Sequence, residues 1–246
     1  RGAFCFTATD AEFKEIFLST PRACLVTLSS PKREFLPHHI TIAYMEHTYK
    51  GNSITILKSS HKEIRRIKYL DHHPSIHGNK FWRSSLLLMD YLKHHPLKKG
   101  SSVIEIGCGW GLAGIYCAKF FNAKVSSIDA DADVFPYLEL HARFNKVKVK
   151  TEKNKFEKLT TARLSGEEII IGADICFWKE LVKPLYNFLE RASRAGVKKV
   201  IIADPGRWTF EDFSELCIKT FNARTEEWSV TKPIRAVGTL LIVDNL

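Results

Sequence analysis

No stretch of eighteen or more apolar residues occurs in the 246-residue chain, so a membrane-spanning helix is not expected. The six cysteines (Cys5, Cys24, Cys108, Cys117, Cys176 and Cys217) form no C-x-x-C pair and no regular framework, and several sit in apolar runs where a free thiol packs as a small hydrophobe. That pattern excludes a disulfide scaffold and a structural zinc site. It points to a reducing compartment: intracellular, the cytoplasm first, or the mitochondrial matrix in a eukaryote. Histidine is plentiful, but His38-His39, His72-His73 and His94-His95 are adjacent pairs whose side chains diverge, and no H-x-x-x-H occurs, so no metal is expected. With no initiator methionine and no signal-peptide core after Arg1, the chain reads as a trimmed or processed form.

What is present is enough for a core. At 45% hydrophobic residues the chain is expected to form one α/β domain with an N-terminal extension. Its net charge of +10 favours an acidic partner surface, on protein or nucleic acid, and nothing in it indicates an oligomeric state. Cations gather at Lys62, Arg65, Arg66 and Lys68 and again from Lys146 to Lys158. There Lys146, Lys148 and Lys150 alternate with Val147 and Val149, the pattern of an edge strand with a solvated lysine face more than of a nucleic-acid patch.

The most informative stretch is Val103-Ile104-Glu105-Ile106-Gly107-Cys108-Gly109-Trp110-Gly111. An apolar run ending in alternate glycines, followed by helix-compatible residues, reads as a strand, a tight loop and a helix N-terminus that admits a nucleotide-like cofactor. Gly109, Gly111 and Gly114 with Asp129 twenty residues after Gly109 also satisfy a dinucleotide fingerprint. Glu105 tilts the balance, because a carboxylate there gains nothing from a pyrophosphate and much from an ammonium and a sulfonium. S-adenosylmethionine fits that charge pattern.

Along the chain, residues 10–18 read as a helix, and 39–44 with 53–57 as a β-hairpin around Gly51-Asn52. An amphipathic helix follows Trp82-Arg83-Ser84-Ser85 and ends before Pro96. Strands are expected at 102–107, 124–129, 146–151, 168–174 and 198–204, with helices at 112–121, 134–144, 180–195 and 210–221 between them. Residues 226–231 and 239–244 are too close for a crossover helix, so they pair antiparallel. The expected fold is therefore α/β and doubly wound, a mainly parallel seven-stranded sheet with a C-terminal antiparallel hairpin. Residues 1–77 form the extension, a possible lid, and 78–246 the catalytic domain.

These residues resemble the class I S-adenosylmethionine-dependent methyltransferases. Within that class the chain is similar to the seven-β-strand protein lysine methyltransferases called family 16, particularly the group that includes the electron-transfer-flavoprotein β-subunit enzyme and its bacterial relatives. The likeness runs from Gly78 to the C-terminus through Trp82 with Ser84-Ser85, the glycine loop, Asp174-Ile175-Cys176-Phe177 and Asp204-Pro205-Gly206-Arg207. It implies a cofactor site of Trp82, Glu105, Gly107, Gly109, Gly111, Asp129, Phe156 and Asp174. It also implies catalytic roles for Asp174 and Phe177, with Trp178 and Arg207 toward the substrate. Asp129 would take the ribose hydroxyls, Asp131 being its close competitor, and Phe156 the adenine face.

The resemblance implies N-methylation of lysine in a protein substrate, with Asp174 orienting the arriving ammonium. Phe177 stands where many members have tyrosine, which leaves the acceptor amine open. The alternatives are a nicotinamide-type small-molecule N-methyltransferase, in which the hairpin or the Lys232-Pro233 turn closes over Asp174, and a basic RNA-interacting cofactor-binding module. Amino-group methylation of adenine or glutamine is disfavoured because Ile175 and Cys176 replace the Pro-Pro of that motif. Cytosine C5 methylation is disfavoured because no proline precedes Cys176. Arg207 has two readings, a grip on an acidic substrate loop or a structural pair with Glu211.

Overall fold

The computed structural model describes residues 47–246 except 52, 53, 71 and 76. The sequence-predicted helix at 10–18 and strand at 39–44 lie outside those residues, as do Cys5 and Cys24. Strand β1, Thr48–Gly51, pairs antiparallel with β2, Ile54–Leu57, placing Gly51 opposite Ile54. The hairpin partner of Ile54–Leu57 is thus Thr48–Gly51, joined to it by a loop whose closure costs little chain entropy. Helix α1, Lys62–Tyr69, follows, with the His61 ring accepting from the Glu63 N–H at its N-terminus and Ile64 turned inward.

The main sheet is built from β3 (Ser102–Ile106), β4 (Lys124–Asp129), β5 (Lys150–Lys153), β6 (Ile169–Ala173), β7 (Lys199–Asp204), β8 (Ala223–Val230) and β9 (Ala236–Asp244). Its order is β5-β4-β3-β6-β7-β9-β8. The first five are mutually parallel, and β9 runs antiparallel to both β7 and β8. Successive side chains of β3 leave on opposite faces, so Val103 joins one core and Ile104 and Ile106 the other. Helices α2 (Ser84–His94) and α3 (Leu112–Phe121) cover the first face. On the second lie α6 (Val182–Arg194) and α7 (Trp208–Thr220), through Leu185, Phe188, Phe210 and Phe213. Helix α4 (Phe135–Asn145) follows β4, and the single turn α5 (Thr161–Leu164) precedes β6.

Chain order reverses at β3, whose neighbours β4 and β6 carry the chain to opposite sides. A crevice at the carboxyl ends of β3 and β6 is the consequence for an open parallel sheet.

The strand expected at 146–151 is displaced to Lys150–Lys153. Lys146 closes α4 in the left-handed region at φ +59, and the Val147 N–H bonds back to the Ala142 carbonyl. The lysine–valine alternation therefore begins in a helix cap, and only Lys150 of the three lysines lies in the edge strand.

The hairpin is fastened to α4 by two buried polar side chains. His141 Nε2 accepts from the Leu57 N–H at 3.1 Å while Nδ1 faces the Tyr137 carbonyl at 2.7 Å, so the ring is neutral with its proton on Nδ1. Asn145 accepts from the Thr55 N–H and donates to the Thr55 carbonyl. Burial pushes the His141 imidazole down to about 4. An unfolded histidine titrates near 6.5, so the native state binds fewer protons than the unfolded chain between those values, and stability is lost as pH falls through that window. The expected loss at pH 4 is about 3 kcal/mol from this residue. Urea denaturation at pH 7 and pH 4.5 measures it, and His141→Gln should flatten that part of the profile.

Candidate active site

The loop after β3 is held in a shape that only glycine adopts without strain. Gly107, Gly109 and Gly111 have φ of +57°, +50° and +68°. A Cβ on Gly107 would lie 2.6 Å from Ile175 Cγ2, and one on Gly111 would run into Leu138, whereas one on Gly109 would meet nothing within 4 Å. The open side of Gly109 faces a cleft. Gly107→Ala should therefore cost about 2 kcal/mol or more in folding, while Gly109→Ala should cost only about 1 kcal/mol of backbone strain; urea titration of the two variants checks the order.

Two devices position this loop. Asp129, the last residue of β4, accepts from the Gly109 N–H at 2.9 Å and from the Asp131 N–H at 3.0 Å, and burial raises its carboxyl above the ordinary range. Trp110 is buried, stacks parallel on Tyr137 with centroids 5.2 Å apart, and donates from Nε1 to the Gly78 carbonyl, tying the 77–82 segment to the glycine loop. Asp131 is occupied elsewhere, accepting from Ser75 Oγ and from the Asp133 N–H, so of the two acids only Asp129 lines the cleft.

Glu105 is buried behind the loop, where it accepts from Ser127 Oγ at 2.9 Å and from the Gly114 and Ala113 N–H groups at the start of α3. Desolvation nonetheless pushes its carboxyl up to about 7.

Beyond β6, Asp174 turns the chain in the left-handed region at φ +62, rare for a residue with a Cβ. Its Oδ2 accepts from Ser84 Oγ at 2.7 Å, and its Oδ1 forms an ion pair with Arg207 Nη2. The guanidinium also reaches Asp204 at the end of β7, Nη1 to Oδ2 at 2.8 Å, while Asp204 Oδ1 accepts from the Gly206 and Arg207 N–H groups. Arg207 thus pairs with Asp174 and Asp204, not with Glu211. Two buried carboxylates share one guanidinium, which leaves a net charge of −1.

Two cavities meet at this cluster. The inner cleft, about 190 Å³, is lined by Gly107, Gly109, Asp129, Phe156, Phe177 and Trp178 among others. The outer cavity, about 680 Å³, is bordered by hairpin residues Tyr49, Lys58 and Ser59, by Arg207, and by the chain from Ile234 to Val237. Trp82 and Asp174 line both. Trp82, Gly107, Gly109, Asp129, Phe156, Asp174, Phe177 and Trp178 are thereby brought together, Glu105 and Gly111 lie behind them, and Arg207 faces the outer side. His77 was not foreseen: its ring contacts Trp82, Phe177 and Trp178 at centroid distances of 6.0, 5.1 and 5.9 Å, closing an aromatic collar at the mouth of the cleft. Ser84, the hydrogen-bond partner of Asp174, was legible only as part of a motif. Cys176 is fully buried with its thiol pushed up to about 12, which makes it a packing residue and not a nucleophile.

A parallel sheet with a terminal antiparallel hairpin and a glycine-loop cleft at its switch point defines the class I methyltransferase fold. Solved structures agree: TrmN from Thermus thermophilus superposes with a TM-score of 0.53 at 13% identity, over 66% of this chain and 49% of that one. A SAM-dependent methyltransferase from Aquifex aeolicus gives 0.50 at 22% identity, over 73% and 97%. Residues 62–212 match the family described as lysine methyltransferase, and the chain belongs to that family.

Among curated relatives, the protein N-lysine methyltransferase METTL21A of Xenopus tropicalis is 28% identical over 163 residues, 61% of this chain and 75% of the relative. The electron transfer flavoprotein beta subunit lysine methyltransferase of Xenopus laevis is 28% identical over 131 residues. Of that relative the chain spans about half, 52% of its length. The family resemblance drawn from the motifs holds.

Proposed function

We propose that the chain is an S-adenosylmethionine-dependent methyltransferase that methylates the side-chain nitrogen of lysine in a protein with an acidic surface. The meeting of two cavities at Asp174 and Trp82, inside a chain of the lysine methyltransferase family, carries this reading. The inner cleft fits the donor: Gly109 leaves its floor open, Asp129 offers a carboxylate to ribose hydroxyls, Phe156 an apolar face, and Trp82 and Phe177 flat walls. When bound there, S-adenosylmethionine supplies an electrophilic methyl group on a sulfonium.

The residues of the chain prepare the nucleophile. Asp174 orients the incoming ammonium, and the Trp82, His77, Phe177 and Trp178 rings exclude water from it. Deprotonating a lysine at pH 7 costs about 4 kcal/mol. Desolvation among those rings lowers that cost while Asp174 raises it, so Asp174 serves capture and alignment, and the proton leaves to water before attack. The outer cavity is wide enough to admit a side chain presented by a protein surface, and the hairpin forms one of its walls. The free thiols of Cys108, Cys117, Cys176 and Cys217 suit a reducing intracellular compartment.

Glu105 supplies a pH signature. A cation in the adjoining cleft favours its ionised form, so donor affinity should rise, up to about tenfold, from pH 6 to 7.5 as its carboxyl ionises. Calorimetric titration checks this, and Glu105→Gln should abolish the dependence.

Radiolabelled methyl transfer from S-adenosylmethionine into cell extract, divided by protease and ribonuclease digestion, tests the function. Label lost to protease supports it. Ribonuclease-sensitive label favours the RNA reading, and donor binding without macromolecular label leaves the small-molecule alternative.

A further inference from the structure

The outer cavity is strongly cationic. Among the described residues, Lys58, Lys80, Arg83, Arg207 and Arg235 line it, against the single carboxylate of Asp174. Two of these cations have engagements that leave their charge uncompensated: Lys80 Nζ sits 4.3 Å from the Trp82 ring, and Arg83 donates to the Arg235 carbonyl. Apolar Phe81, Leu87, Ile234 and Val237 lie among them. A cavity that sets apolar groups among its cations suits an acidic protein segment, which offers apolar side chains beside its carboxylates, better than a nucleic-acid backbone.

Lysine arriving here meets an obstacle. Asp174, the residue that would receive its ammonium, is already paired with Arg207. Arg207 differs from the acids it bridges: its side chain is 29% exposed, whereas those of Asp174 and Asp204 are 4% and 1% exposed. Its two arms are also unequal. Nη1 is held by Asp204, which grips the Arg207 and Gly206 N–H groups as well, so the residue stays anchored when Nη2 changes partner. Gly206, at φ +91 with nothing within 4 Å of an added Cβ, leaves the turn unobstructed.

We propose that Arg207 is the acceptor-reading residue of this site: a carboxylate flanking the target lysine takes over Nη2 from Asp174, and the freed Asp174 takes the lysine ammonium. The exchange conserves charge, since one acceptor carboxylate and one acceptor ammonium replace a single internal pair with two intermolecular ones. A lysine in neutral surroundings has nothing to offer Arg207, so Asp174 stays held by the guanidinium and the ammonium meets only the one surplus charge of the cluster. Selection for acidic context and capture of the lysine are thus one event. This inference rests on the protein-lysine reading.

The test is to label extract protein with S-adenosylmethionine and either wild type or Arg207→Gln, and to map the labelled lysines by mass spectrometry. In the wild type, targets are expected to carry Asp or Glu beside the lysine. In Arg207→Gln, the ratio of acid-flanked to neutral-flanked sites should fall at least tenfold, because the exchange partner is gone while Asp174 stands free. Where Arg207→Gln does not fold, as thermal unfolding would report, Arg207→Lys takes its place: one ammonium cannot hold both acids, and the ratio should fall in the same direction. Wild-type targets in neutral or basic surroundings, or an unchanged site profile in the folded variant, overturn the inference. Absence of any lysine label from wild type instead defeats the reading on which it rests.

Discussion

Asp174→Asn is expected to fold normally and to transfer methyl groups to protein at least about 100-fold more slowly than wild type. Asparagine is among the few residues that tolerate the left-handed conformation observed at φ +62, and its amide oxygen can still accept from Ser84 Oγ. What it removes is charge. In the wild type, Asp174 and Asp204 share one guanidinium, and the surplus negative charge is what an arriving ammonium neutralises. In the variant, Arg207 and Asp204 balance each other, and a cation gains nothing by entering. Losing the carboxylate that faces a desolvated cation costs about 3–5 kcal/mol, which corresponds to roughly two to four decades in rate. Steady-state transfer with donor affinity measured in parallel decides it: an intact donor site with collapsed turnover is expected, and activity within threefold of wild type would remove Asp174 from the reaction.

The second large effect is expected at Asp129→Ala, on the donor side. Its two carboxylate oxygens hold the Gly109 and Asp131 N–H groups, and the same carboxylate borders the cleft. Removing it orphans two donors, at about 2 kcal/mol of stability for a part-buried pair of charge-assisted bonds. It also deletes the ribose acceptor. S-adenosylmethionine affinity should fall about 100-fold in calorimetry, with Asp129→Asn falling less because one amide oxygen remains. Unchanged affinity in Asp129→Ala would place the donor elsewhere.

The central strands of the parallel sheet were legible because they are apolar runs ending in glycine or aspartate, as in Val103-Ile104-Glu105-Ile106-Gly107 and Val200-Ile201-Ile202-Ala203-Asp204. Buried strands flanked by helices have no other way to look. The edge strand was misplaced because lysine–valine alternation fits a strand whether or not its first residues are spent closing the preceding helix. Which segment pairs with Ile54–Leu57 depended on loop closure and on His141 and Asn145, which lie more than eighty positions away.

The site divides in the same way. Glycines, Asp129 and Asp174 declare themselves because local backbone geometry demands them at strand ends. Arg207 could be found but not its partners, since Asp174 lies thirty-three positions earlier and Glu211, only four later, was the natural guess from helical spacing. His77 carries no local signal at all; only the fold sets its ring against Trp82, Phe177 and Trp178.

The most direct measurement of the central claim is amino-acid analysis of extract protein labelled by the purified chain with S-adenosylmethionine bearing a radioactive methyl group. After total acid hydrolysis, label co-migrating with ε-N-methylated lysine, and absent when Asp174→Asn is used, is the predicted result. Label recovered in any other amino acid, or the same yield of methyllysine from wild type and Asp174→Asn, would contradict it.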